Sequence, residues 1–159
     1  MEITTNELNY IIFKRNDEKI NNEIIKHGAK TVDFLVDNTS LLNILINEHG
    51  GHNDYMGCFS KGWNELNNDS KNKLLLKKEP DTTDGRIKMY VCPECGDIGC
   101  GVFCCKIEKT NEFYIWKDFA YENGYEDAKI INKIGPYYFD KIVYEKLILE
   151  LSRKFNVDH

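Results

Sequence analysis

A run of three cysteines between two strand-like segments constrains the fold of this chain more than any other feature: Cys92-Pro-Glu-Cys95-Gly-Asp-Ile-Gly-Cys100. Apolar, β-branched and aromatic residues dominate 87–92 before this run and 101–107 after it, and that pattern favours strands. A third strand is predicted over 113–116, after a polar turn. The sequence therefore predicts an antiparallel meander around 86–117, with the cysteine run as the turn of its first hairpin.

Two further strands are predicted before the cysteine run. Segment 8–14 is β-branched and aromatic, and segment 31–36 alternates apolar with polar residues, as a strand with one buried face does. The polar residues 17–22 between them are typical of a turn or an insertion. We therefore expect 1–30 to be a more variable N-terminal strand and insertion within the same domain.

Helices are predicted outside the meander. The first and the last each follow a residue whose side chain can accept a hydrogen bond from a free backbone N–H, namely Thr39 or Ser40 for the first and Asp140 for the last. Apolar residues of the last helix recur at helical spacing, so one of its faces should pack on a sheet. The predicted helices are 41–48, a short one within 70–78, and 141–155.

These elements predict a single α+β domain over 1–159, with an antiparallel sheet packed by two or three helices. The net charge of −5 argues against nucleic acid as a partner, because phosphate binding needs a clustered basic face. No run of about 18 apolar residues is present, which argues against a membrane span. The N-terminal sequence lacks the features of a signal peptide, so we expect a cytoplasmic protein with reduced cysteines.

Cys92 and Cys95 have the C-P-x-C-G spacing of a zinc half-site. Proline fixes the backbone φ angle, and glycine lets the backbone turn so that its N–H groups point at the sulfur atoms. These N–H groups favour the deprotonated thiolate, and the thiolate is the form of cysteine that binds metal. Cys100 is the predicted third ligand. A structural zinc site needs a fourth ligand, and the candidates are Cys104, Cys105, His49 and His52.

The residues leave three interpretations of the cysteine run open. The first is that the cysteines fill a tight turn as small buried side chains without metal. The second is that they hold zinc. In the third, Cys92 and Cys95 are the nucleophile and the resolving thiol of a thiol-disulfide oxidoreductase, although such chemistry usually needs a helix directly after the first cysteine, whereas a glycine-rich turn follows here.

Trp116, Asp118 and Glu122 form a polar and aromatic group that is predicted to lie just after the third strand. As binding residues, the two carboxylates would act in acid–base chemistry or contact a basic partner. The structural interpretation places Trp116 in the core, with its N–H bonded nearby, and gives Asp118 a role in a turn.

Several segments together resemble a widespread family of small bacterial proteins. Members of that family carry a strand ending in C-P-x-C-G-D-x-x-C-G, followed later by W-x-D-F and G-P-F-x-F-D segments and a terminal helix, and some members are labelled oxidoreductases. The resemblance implies a fold and a bacterial cytosolic origin, and it implies no activity. It covers Cys92, Cys95 and Cys100, but not Cys104 or Cys105. The matching segments are FLVDNTSLL (34–42), DYMGCF (54–59), DGRIKMYVCPECGDIGCG (84–101), IWKDFAYENGYE (115–126) and IGPYYFDKIVYEKLI (134–148).

The function expected from the sequence is that of a non-catalytic binding or regulatory protein with a protein partner, and with zinc as its one candidate cofactor. One form is an immunity or antitoxin-type protein, because a small acidic domain can cover a basic surface through complementary charge. The alternative is the thiol-disulfide oxidoreductase that uses Cys92 and Cys95. The sequence predicts neither the partner nor an oligomeric state.

Overall fold

The computed structural model describes residues 4–15, 18–26, 29–93, 99 and 101–157. Within these residues the chain forms a single α+β domain with antiparallel sheets, as the sequence predicts. The strands of the larger sheet are β6 (Met56–Gly57), β7 (Ile87–Val91), β8 (Val102–Lys109), β9 (Phe113–Glu122), β10 (Lys129–Ile130) and β11 (Tyr137–Asp140). Their order is β10-β9-β8-β7-β6, and β11 also pairs with β9.

The predicted meander is confirmed, because β7, β8 and β9 are consecutive antiparallel neighbours. However, β9 does not end at Trp116 but continues to Glu122. The strand passes through a register shift near Asp118, whose φ is 52°. The polar pair Lys117-Asp118 interrupts the apolar pattern, which explains why the pattern alone ends the strand too early.

A smaller sheet contains the predicted N-terminal strands. Its members are β1 (Leu8–Arg15), β4 (Ala29–Val36) and β5 (Thr39–Ser40) in the order β1-β4-β5. The predicted strand over 31–36 is confirmed, and Val32, Phe34 and Val36 are buried on one of its faces. The other face is not open to solvent, because Thr31 and Asp33 are buried as well. Segment 17–22, predicted as a turn or an insertion, contains β2 (Glu18–Ile20) and the turn of the hairpin that β2 forms with β3 (Glu23–Lys26). Asn21 and Asn22 make its turn with positive φ, a conformation that asparagine tolerates well.

Backbone hydrogen bonds join the smaller sheet to the larger sheet at both margins. At one margin, Val32 N donates to Phe59 O (3.1 Å) and Lys61 N donates to Lys30 O (2.8 Å). At the other, Asn6 N donates to Tyr138 O of β11 (2.7 Å). The strands therefore form a continuous ring of backbone contacts that runs from β1 through the larger sheet and back to Asn6.

The first and last helices are capped as predicted. These are α1 (Leu41–His49) and α3 (Lys141–Phe155). The Ser40 side chain accepts a hydrogen bond from Asn43 N, and the Asp140 side chain accepts one from Val143 N. None of the described helices is long and apolar enough to cross a membrane.

The prediction of a short helix within 70–78 is wrong in its bounds, because α2 runs over Asn64–Leu74. The buried positions of α2 include Asn67 and Ser70, so the apolar repeat that reveals a helix is missing. Asn67 is fully buried, accepts a hydrogen bond from Ser60 N (2.8 Å) and donates one to Ser60 O (2.9 Å). The Asn67 side-chain amide therefore bonds to both main-chain groups of Ser60, as a neighbouring strand would, and holds α2 against the segment after β6.

The core lies mainly on one face of the larger sheet, where α1, α3 and the smaller sheet also pack. Trp116 is fully buried there and donates from Nε1 to the Tyr144 hydroxyl (3.2 Å). The other face carries a smaller apolar cluster that includes Cys104 and Val102. Cys104 and Cys105 therefore point to opposite faces, as consecutive residues of a strand do.

An ion-pair network connects α2 with the segment before β7. Asp81 is nearly enclosed, pairs with Lys73 and lies 3.7 Å from Lys88 Nζ. Lys73 Nζ also lies 2.7 Å from Asp69, which in turn pairs with Lys78. The two carboxylates thus bridge separate chain segments and compensate the charge of lysines that are partly removed from water.

Lowering the pH through the titration of Asp69 is expected to destabilise the protein. Partial burial raises the pKa of Asp69, but hydrogen bonds and charges from Lys73 and Lys78 outweigh it and hold the pKa below the ordinary value of 3.8. A folded-state pKa below the unfolded one gives stability that is present above pH 3.8 and lost as the pH falls through the folded value. Urea unfolding between neutral pH and about pH 3 should show a smaller loss for Asp69→Asn than for the natural protein. Equal losses would contradict this assignment.

Candidate functional site

The cysteine turn leaves the larger sheet between β7 and β8. Cys92 and Pro93 directly follow β7, and Gly101 directly precedes β8, whereas Cys95 and Cys100 lie outside the described residues. Gly101 has a φ of 93°, and a Cβ atom there would lie 2.1 Å from the Tyr121 hydroxyl. Only glycine therefore lets the chain enter β8 beneath this tyrosine.

A row of five rings lines the end of the sheet from which the cysteine turn emerges. His52 stacks on Tyr55 with 4.8 Å between ring centroids, and Tyr55 lies 4.9 Å from Phe103. Phe103 contacts the edge of His49 at 5.6 Å, and His49 stacks on Tyr121 at 4.7 Å. We call these residues the aromatic row. Each of its members is supplied by α1, the following loop, β8 or β9, so the fold of the sheet sets their spacing.

The surroundings of the aromatic row keep Tyr55 and His49 neutral near pH 7. Burial raises the pKa of Tyr55 to about 12, with additional contributions from Tyr121 and Cys92. Burial, followed by the charge of Lys129, lowers the pKa of His49. Met56 of β6 pairs with Val91 of β7 in antiparallel register, so Tyr55 and Cys92 are neighbours at the ends of these two strands. The neutral form of His49 is the form in which an imidazole can bind a metal.

The four candidates for a fourth metal ligand differ in their hydrogen bonds and their burial. His52 Nδ1 accepts a hydrogen bond from Asp54 N (3.1 Å), so the neutral ring carries its proton on Nε2 and has no free lone pair. The Cys104 thiol donates to Glu122 Oε2 (3.3 Å), and Cys105 is fully buried in the main core. Among the described residues, no side chain forms a hydrogen bond with His49, so it is the one of the four candidates that is neither hydrogen-bonded in this way nor enclosed in the main core.

No group of three or more His, Cys, Asp or Glu side chains that could hold a metal is found within residues 4–15, 18–26, 29–93, 99 and 101–157. Two of the three predicted sulfur ligands, Cys95 and Cys100, lie outside that part of the chain. The described part of the site therefore comprises Cys92 at the end of β7 and the aromatic row beside it.

Three of the four described thiols are enclosed. Burial raises the pKa of Cys58 to about 12, and it also raises the pKa values of Cys104 and Cys105. For Cys104, the nearby carboxylate of Glu122 adds to this effect. Cys92 is half-buried and is the most accessible of the four. Thiolate chemistry at neutral pH is thus disfavoured at the three buried positions.

We expect Cys58, Cys104 and Cys105 to resist alkylation in the folded protein, because both their enclosure and their raised pKa values suppress the thiolate. Timed reaction with iodoacetamide at neutral pH, followed by peptide mass spectrometry, measures each site separately. In guanidinium chloride all three should react as ordinary cysteines. Rapid modification of any of the three before unfolding would show that its enclosure is not maintained in solution.

The three residues predicted as a binding group do not form one site. Trp116 lies in the main core, and Asp118 is exposed at the register shift of β9. Glu122 lies on the opposite face from Trp116, beside Cys104 and 3.6 Å from Arg86. Proximity in the sequence suggests the group, but strand alternation and the shift near Asp118 separate its members.

Arg86 is a buried structural residue that the sequence patterns do not reveal. Its side chain is only 6% exposed, donates from Nε to Asp118 O (2.8 Å) and pairs with Asp84. The guanidinium thereby binds the main-chain oxygen of Asp118 at the point where the register of β9 shifts. A single arginine beside the Asp84-Gly85 turn gives no sequence signal for this role.

Comparisons of the chain with models of protein families, with curated proteins and with solved structures found no match. Function is therefore inferred from the residues and geometry described above.

Proposed function

We propose that this protein is a non-catalytic binding or regulatory protein whose cysteine turn is a structural zinc element. The observation that carries the proposal is the aromatic row, which contains the neutral His49 and extends to Tyr55, the cross-strand neighbour of Cys92. Zinc-bound turns of this kind stabilise a local structure without leaving an open coordination position for catalysis.

The zinc ligands in this proposal are Cys92, Cys95, Cys100 and His49. His49 is preferred as the fourth ligand because His52, Cys104 and Cys105 are engaged elsewhere in the described structure. Tyr121, which stacks on His49, also lies against Gly101. The imidazole is therefore held, through one intervening ring, next to the residue that follows Cys100.

The family resemblance and the immunity-type role belong to this proposal as well. A net charge of −5 supports a basic partner, as an immunity protein of a basic toxin would have. The resemblance adds a bacterial cytosolic origin. An open reading frame for a toxin next to the gene would be the genomic context expected for this role.

Thiol-disulfide oxidoreduction is the second candidate, and the accessibility of Cys92 is the observation that favours it. In this reaction the Cys92 thiolate would attack a substrate disulfide and release one substrate thiol, and Cys95 would then resolve the mixed disulfide. The two candidates differ in one chemical respect, because a zinc-bound thiolate is not available for exchange.

Metal analysis of reduced protein purified without chelators tests the proposal. We expect about one zinc ion per chain, lost in Cys92→Ser together with part of the free energy of unfolding. His49→Ala should weaken zinc retention against a competing chelator. His52→Ala and Cys104→Ala are the matched controls and should retain the metal.

Two results would change the assignment in different ways. Zinc that is lost in Cys92→Ser but retained in His49→Ala would keep the zinc element and reject His49 as a ligand. A protein without zinc whose Cys92 reacts rapidly with a disulfide reagent at neutral pH would reject the zinc element and favour the oxidoreductase.

A further inference from the structure

Strand β1 is an edge strand of the smaller sheet. The order β1-β4-β5 leaves one side of β1 without a neighbouring strand, and the contact of Asn6 with β11 lies just before β1 begins. Over its eight residues β1 keeps an unbroken register with β4 and contains no proline. Natural proteins usually protect such an edge with a bulge, a proline or a very short strand. Strand β1 lacks all three, so its free side can accept a further strand.

The backbone groups of three β1 residues point toward this free side. Directly opposite residues of an antiparallel pair point their N–H and C=O groups either both toward each other or both away. Three residues of β4 form hydrogen bonds on the side away from β1, namely Lys30 with Lys61, Val32 with Phe59 and Phe34 with the Tyr90 hydroxyl. Their partners on β1, which are Lys14, Ile12 and Tyr10, therefore point away from β4 as well.

The outward groups of Ile12 and Lys14 are unpaired within the described part of the chain. Asn9 Oδ1 accepts a hydrogen bond from Tyr10 N (2.9 Å). Nothing among the described residues bonds to the N–H and C=O groups of Ile12 and Lys14 on this side. These groups have the spacing and direction of a strand edge, and another extended backbone matches them. The chemistry that fits this edge is therefore that of a strand.

The side chains of β1 complement an antiparallel copy of the same strand. Ile11 and Ile12 lie at its middle on opposite faces and are 47% and 49% exposed. The exposed Glu7 precedes the strand, and the exposed Lys14 lies near its end. Antiparallel pairing of two copies would place the isoleucines of both at the centre and bring the acidic start of each copy beside the basic end of the other. Parallel pairing would instead place like charges together.

We propose that β1 pairs antiparallel with β1 of a second copy of the chain and that this pairing forms a twofold dimer. The outward groups of Ile12 and Lys14 would bond across the twofold axis, and the two smaller sheets would join into one. The same edge is used on both copies, so the arrangement closes at two chains. No residue of the cysteine turn takes part, and the proposal therefore does not depend on the zinc element.

Amide hydrogen exchange, measured by NMR at low and high protein concentration with a reductant present, tests the proposal. The amides of Ile12 and Lys14 should exchange more slowly at the higher concentration, by about tenfold or more, because pairing supplies their acceptors. The amides of Ile11 and Phe13 point toward β4 and should be protected at both concentrations. Analytical ultracentrifugation of the same samples should show the change from monomer to dimer.

Ile12→Pro separates dimerisation from folding. The proline ring removes the outward N–H and leaves the hydrogen bonds between β1 and β4 in place, so the variant should fold and lose the dimer. Ile12→Val is the matched control, because it keeps the N–H with an apolar side chain of similar size. The valine variant should remain a dimer, and circular dichroism should show the same folded content in both variants.

Two results would overturn the proposal. A protein that stays monomeric at every concentration would show that a second copy does not occupy this edge, and a strand of another protein would then be its candidate occupant. A dimer that forms without slower exchange at Ile12 and Lys14, or that persists in folded Ile12→Pro, would place the dimer contact elsewhere. If Ile12→Pro does not fold, the exchange measurements on the natural protein still decide between these outcomes.

Discussion

Gly57→Ala is expected to destabilise the protein severely, by about 3 kcal/mol or more. A Cβ atom at this position would lie 2.0 Å from the backbone oxygen of Val32 and 2.5 Å from its Cγ1. The nearest atom is a main-chain oxygen, so a side-chain rotation cannot relieve the clash. Separating the strands would break the bond from Gly57 N to the Thr31 hydroxyl (2.9 Å) and strain the margin between the two sheets. Urea unfolding, or the soluble yield if the variant does not fold, measures the effect.

Gly51→Ala is the matched control for this prediction. Gly51 has a φ of 91°, and a Cβ atom added there would have no neighbouring atom within 4 Å. Alanine at this position should therefore cause no steric clash. Its left-handed backbone conformation alone should lower the free energy of unfolding by about 1 to 2 kcal/mol. Val32→Ala should not rescue Gly57→Ala, because the clashing oxygen remains. A Gly57→Ala protein as stable as the Gly51→Ala protein would contradict the close approach of the two strands.

Arg86→Met is the second substitution with a large expected effect, a loss of about 3 to 5 kcal/mol. Methionine fills a similar volume, but it leaves the Asp118 carbonyl without its donor and leaves Glu122, which is only 13% exposed, without its cation. Arg86→Lys should recover only part of the loss, because one ammonium group cannot reproduce the fixed fork of the guanidinium. Chemical denaturation of the three proteins gives the comparison.

A charge-neutralising second substitution separates the two causes of this loss. Adding Glu122→Gln to Arg86→Met removes the uncompensated carboxylate but does not restore the hydrogen bond to the Asp118 carbonyl. We therefore expect the double variant to be more stable than Arg86→Met alone and less stable than the natural protein. If the second substitution destabilises further, the carboxylate of Glu122 is not held mainly by Arg86.

The elements that can be predicted correctly from the sequence are those whose signals are local. The signals for strand β4 and for the caps at Ser40 and Asp140 depend on neighbouring residues only, and all three features are present in the structure. The bounds of α2 escape prediction because its buried positions use an amide and a hydroxyl, Asn67 and Ser70, in place of apolar side chains. Hydrogen bonds to a distant segment stabilise that helix, and such partners leave no periodic pattern.

The candidate site is predictable only in part for a similar reason. The C-x-x-C spacing identifies Cys92 as a candidate ligand, but spacing cannot rank His49 above His52. That ranking depends on the Asp54 N–H that occupies His52 Nδ1 and on the stacking of His49 with Tyr121. Likewise, the role of Arg86 depends on its hydrogen bond to the main-chain oxygen of Asp118, which lies far away in the sequence on β9.

The hydrogen bond between Asn6 and Tyr138 has a consequence for the order in which the chain folds. During synthesis, residue 138 leaves the ribosome long after residue 6, so the ring of strands cannot close until nearly the whole chain has been translated. Contacts of such wide sequence separation slow folding, because the chain loses much of its freedom before they form. We therefore expect β1 and β4 to pair early as a hairpin, with Asn6 remaining exposed to solvent until β11 emerges.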